Sequence, residues 1–171
     1  MKKIILASLL SLFLLVAFGT IANAQMAKEG TFSVKMICHG TYSVINAATT
    51  TEKRMQFNHE VFGLTLNDAG EGFLHDASLH GMGSFHAVNG VMDGGDRGFF
   101  VHFDKDGDQV FLTYLSQGSL GATKATFKLV GGTGKYTGVT GGGEWNWKGV
   151  TPAAEGTFQG YTAAKGHYKL P

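Results

Sequence analysis

Glycine constrains this chain more than any other residue. It occurs 26 times against two prolines in 171 residues, well above the usual share of roughly 7%. Such a chain is either low-complexity or a series of short elements joined by tight turns. An aromatic content of 12% and the absence of a long polar tract argue for the second. The glycines stand between aromatic and β-branched runs and read as turns and bulges.

Alternation and turn punctuation predict strands over residues 31–38, continuing irregularly towards Ile45, and over 54–66, 72–74, 79–88, 98–104 and 109–116. Further candidates are 123–130, 141–148, 155–161 and 166–170, with a loop over 46–51. Asn89-Gly90 is the dipeptide most favoured for a type I′ hairpin, and Lys105-Asp106-Gly107-Asp108 separates two clear strands. No segment carries sustained helical periodicity. The fold class is therefore all-β, and closure into a small antiparallel up-and-down barrel of about eight strands would remove the exposed edges. A barrel of that size is filled by side chains or holds one small ligand.

The N-terminus points to export. Lys2 and Lys3 precede an apolar run from Ile4 to Phe18, and Ala22-Asn23-Ala24 follows as a cleavage site. The run has about 15 residues, short of the roughly 20 that span a bilayer. Residues 1–24 are thus expected to be a cleavable signal peptide and 25–171 a single domain, periplasmic or secreted, with no stable membrane insertion after cleavage. The expected mature chain has 147 residues and, without Lys2 and Lys3, a formal charge of −1 instead of +1. With no positive excess to neutralise phosphates, nucleic acid is not an expected partner. Cys38 is the only cysteine, so no internal disulfide can form, and it reads as a buried core residue.

Chemical motifs fail on inspection. Asp104-Lys105-Asp106-Gly107-Asp108 starts like a calcium loop, but Gln109 stands where glycine is needed and Leu115 where a bidentate Glu is needed. It reads as a solvated hairpin tip. Gly131-Gly132-Thr133-Gly134-Lys135 lacks the first glycine and the following Ser or Thr of a phosphate loop. His59-Glu60 lacks the second histidine of a zinc protease, since Gly63 occupies its position. No metal or cofactor is expected.

Strand parity leaves softer candidates. His80 and His86 share one face of their strand, and His102 shares a face with Phe100 and Asp104. If those faces point inward, the three histidines line a lumen and contact a ligand. The competing reading places Phe99, Val101 and Phe103 in the core and the histidines on the surface. Trp145 and Trp147 share a face and serve either as core or as an aromatic wall around an apolar ligand.

The segment Asp104-Lys105-Asp106-Gly107-Asp108-Gln109-Val110-Phe111, with Lys128-Leu129-Val130-Gly131-Gly132-Thr133-Gly134-Lys135-Tyr136-Thr137-Gly138-Val139-Thr140-Gly141-Gly142-Gly143, resembles exported bacterial proteins related to the allene oxide cyclase-like and dirigent-like barrels. The resemblance implies a calycin-like barrel with a central cavity, assembled into homo-oligomers. It also brings in a cofactor-free cyclase or isomerase activity as an alternative. For that activity Glu60, the only carboxylate of the 54–66 strand, is a candidate catalytic acid if it points inward. The leading expectation is a barrel that binds a small apolar or amphipathic ligand, or that serves as an interaction module.

Overall fold

A computed structural model of the chain describes residues 26–119 and 121–171; the expected signal peptide, residues 1–24, lies outside them. Eight antiparallel strands form one closed sheet. They are β1 (Glu29–Ala48), β2 (Lys53–Asn67), β3 (Ala77–Val88), β4 (Val91–Phe103), β5 (Gln109–Ser119), β6 (Ala122–Gly132), β7 (Thr140–Val150) and β8 (Thr157–Lys169). Each strand pairs with the next, and β8 returns to β1 with Thr41 opposite Thr157 and Glu29 opposite Lys169. This is the up-and-down barrel that turn spacing implies.

The hairpin signals act as their local chemistry requires. Asn89 and Gly90 have φ of 51° and 83° between β3 and β4, the two left-handed residues of a type I′ turn. At the 104–108 tip, Asp104 Oδ1 accepts from the backbone N–H of Asp106 at 2.8 Å and of Asp108 at 3.0 Å. Lys135 pairs with Asp104 and with Asp106, binding the tip to the short helical turn Gly134–Tyr136.

Three expectations need correction. Residues 72–74 are not a strand but part of a turn whose Phe73 and Leu74 are buried. Asn67 secures it, its side-chain amide donating to the Phe73 carbonyl at 2.9 Å. Residues 155–161 and 166–170 are not separate strands either, because β8 runs unbroken through the region between them. The glycine-as-turn reading covers only part of the set: among the described residues 13 glycines have positive φ, while others lie inside strands beneath large rings. Gly81, Gly83 and Gly98 are of this second kind, since a Cβ on any of them would collide with Phe100, His59 or Tyr114.

The interior has two ends. At the end carrying the β2–β3, β4–β5 and β6–β7 connections it is packed solid. Phe73 stacks on Tyr168 at 4.2 Å, lies 5.0 Å from Phe32, and meets Tyr136 edge-on at 5.8 Å. The other end, ringed by the remaining connections, opens into a cavity.

Candidate functional site

The cavity has a volume of about 400 Å³ and is lined chiefly by apolar and aromatic side chains, within the usual range for small-molecule sites. Gly121, Pro152 and Thr157 mark its mouth, and Trp145, Phe100 and Tyr114 form its floor. The Trp145 ring stacks on Phe100 at 5.7 Å and on Phe127 at 5.4 Å. Trp147, nearer the mouth, meets Phe158 edge-on at 6.1 Å. Both tryptophans line the lumen, and Trp145 is at the same time part of the packed core.

A cluster of titratable side chains interrupts this lining. His59 from β2, Asp96 from β4 and Tyr114 from β5 converge, although they come from three strands. His59 Nε2 lies 3.1 Å and 3.2 Å from the two oxygens of Asp96. The Tyr114 hydroxyl donates to Asp96 Oδ2 at 3.1 Å. Side-chain exposure is 12% for His59 and 13% for Asp96. Burial, reinforced by the adjacent Asp96 carboxylate, pushes the Tyr114 hydroxyl far above the usual tyrosine range, so it remains a donor. With Nε2–H donating to the carboxylate, a neutral His59 keeps its lone pair on Nδ1, which has no partner among the described residues.

Local sequence explains how the cluster assembles. In β2, Phe57, His59 and Val61 alternate inward. In β4, the register slips on both sides: Asp93 pairs with His86 but Arg97 with Ser84, and Val91 pairs with Ser119 but Asp96 with Ser116. The excess is a two-residue bulge at Gly94 and Gly95, with φ of 77° and 81°, a conformation glycine adopts without steric cost. Gly83 and Gly98 face each other across β3 and β4. Their missing side chains leave room for the His59 and Tyr114 rings.

The remaining candidates fall elsewhere. Glu60 points outward, because its neighbours His59 and Val61 occupy the inner face; it pairs with His80 at 2.8 Å on the outer wall. His80 also stacks on Phe62 at 4.7 Å. His86 is likewise outside, 3.3 Å from Asp93. His102 does point inward, but at the packed end, where it is 1% exposed and absent from the lumen lining. The reading that placed Phe99, Val101 and Phe103 in the core is inverted: Phe100 and His102 are inside, and Phe99 is 43% exposed. The reason lies in the neighbours, since Phe100 needs the space above Gly81, which only the inner face offers.

Sequence reasoning missed His59, Asp96 and Tyr114. Glu60 stood out as the only carboxylate of its strand, and the alternation of β2 places His59 on the opposite face with Phe57. The Gly94-Gly95 pair was the available signal for a bulge next to Asp96. Burial pushes the Cys38 thiol, also in the lining, up to about 12, so it remains a neutral wall residue. Ser116 Oγ donates to Thr123 Oγ1 at 2.7 Å, whereas the buried Thr162 Oγ1 has no partner among the described residues.

No protein-family model matches the chain, and no curated protein matches it. Functional inference therefore rests on the lumen.

Proposed function

We propose that this protein is an exported binding barrel that holds one small, mainly apolar molecule in its lumen. The observation that carries this reading is the cavity of about 400 Å³, with its largely aromatic wall and the cluster of His59, Asp96 and Tyr114. An apolar body leaves water for the wall, and one polar group meets the cluster. Native mass spectrometry of protein recovered from its own host tests it. A retained organic mass that disappears on gentle denaturation is expected. A clean apo mass, together with no change in tryptophan fluorescence on titration with apolar probes, would overturn the reading.

The contact of His59 with Asp96 at 3.1 Å favours a second reading, a cofactor-free cyclase or isomerase acting in the same cavity. A carboxylate that orients an imidazole leaves the other ring nitrogen free to take and return a proton. Deuterium incorporation into a lumen ligand in heavy water, lost in His59→Gln, is its expected signature. Incorporation unchanged in that variant would remove His59 from the role.

A further inference from the structure

Among the described residues lining the lumen Asp96 is the only carboxylate, and neither Lys nor Arg contributes. A carboxylate withdrawn from water is costly unless it is paired. Its two partners here are the Tyr114 hydroxyl and His59 Nε2. Both supply hydrogen bonds, and neither is a fixed cation such as Lys or Arg. A carboxylate has about four lone-pair sites, of which these donors leave part unused.

The rings around the cluster favour the same sign of charge. Phe158 meets His59 edge-on at 5.8 Å, Phe85 lies 6.4 Å from it, and Phe57 stacks on Phe85 at 4.5 Å. Aromatic faces carry negative quadrupole density, which attracts cations and disfavours anions. Carboxylate and rings together form a cation-selective surface inside an otherwise apolar cavity. We propose that the lumen selects an organic cation, a protonated amine on a compact apolar body, with the ammonium on Asp96 and the body against Phe57, Phe85 and Trp147. This rests on the lumen-binding reading and specifies the head group it takes.

Isothermal titration of the purified protein with three probes of one shape, naphthylmethylamine, naphthalene methanol and naphthoate, tests the proposal. The amine is expected to bind tightest, by about tenfold or more over the alcohol, with naphthoate weakest. Its advantage should collapse in Asp96→Asn. An alcohol or carboxylate that binds as tightly as the amine, or selectivity that survives in Asp96→Asn, overturns the cation proposal while leaving the binding barrel standing. Failure of all three probes overturns the binding barrel itself. If Asp96→Asn does not fold, the three-probe comparison on the unaltered protein decides the question.

Discussion

The imidazole of His102 is 1% exposed, with Nδ1 3.1 Å from Thr65 Oγ1 and no partner for Nε2 among the described residues. Burial lowers its pKa from 6.5 to about 4, so the folded protein binds this proton less readily than the unfolded chain. Stability from this group is fully present above the unfolded value and is lost as pH falls towards the folded one. The drop is on the order of 3 kcal/mol. Urea denaturation at a series of pH values should show this acid limb, and His102→Gln should flatten it; an unchanged slope would assign the limb to other groups. Glycines beneath rings make a second residue-scale case. A Cβ on Gly98 would lie 2.6 Å from the Tyr114 ring, whereas one on Gly30 would sit at an ordinary 3.4 Å from Tyr168. Gly98→Ala should therefore cost about 1–3 kcal/mol and Gly30→Ala within about 0.5 kcal/mol, as read from denaturation midpoints.

Among the strands, β4 departs furthest from regularity. Its two extra residues, Gly94 and Gly95, interrupt ladders that are in phase on either side: with them removed, Asp96 would fall opposite Phe85 and stay opposite Ser116. Because the insertion is even, deleting both glycines keeps every inward side chain of β4 inward. The deletion variant is expected to keep the barrel, with stability within about 2 kcal/mol of the parent. What it should lose is the fit of Asp96 to His59, since a bulge bends and twists the strand locally. Circular dichroism and denaturation read the first outcome, and head-group selectivity in ligand titrations reads the second. A variant that does not fold would show that the bulge serves barrel closure instead of the site.

At the scale of the whole molecule, the barrel divides its interior between a solid end and a hollow one. Phe73 fills the solid end from outside the sheet, in a turn that includes Leu74 at φ 60° and Asp76 at φ 51°. A non-glycine residue holds such a conformation only where its surroundings over-determine it, and here Phe32, Tyr136 and Tyr168 enclose the Phe73 ring. Phe73→Ala should cost about 3–5 kcal/mol in equilibrium denaturation. Phe73 does not line the lumen, so affinity for a lumen ligand should stay close to the parent value under conditions where the variant is folded. A large affinity loss would mean that the two ends are coupled. The outer wall is also apolar in places, with Ile37, Phe62, Leu64, Met82 and Phe99 all exposed.

That outer apolarity explains which features were legible beforehand. Fold class, barrel closure, most strand positions and the Asn89-Gly90 hairpin follow from alternation and turn chemistry, which act between residues close in the chain. That Trp145 and Trp147 share one face was legible for the same reason; that this face lines the lumen was not. Which face of β2 and β4 points inward was not, because rings lie on both faces and the choice depends on glycines in adjacent strands. The cluster was less visible still: His59 and Asp96 are 37 residues apart, and Asp96 and Tyr114 are 18 apart. The sequence by itself determined that this chain closes into a glycine-rich barrel. Only the tertiary structure decided that His59, Asp96 and Tyr114 share its lumen, because strand pairing across the closed sheet sets which side chains meet.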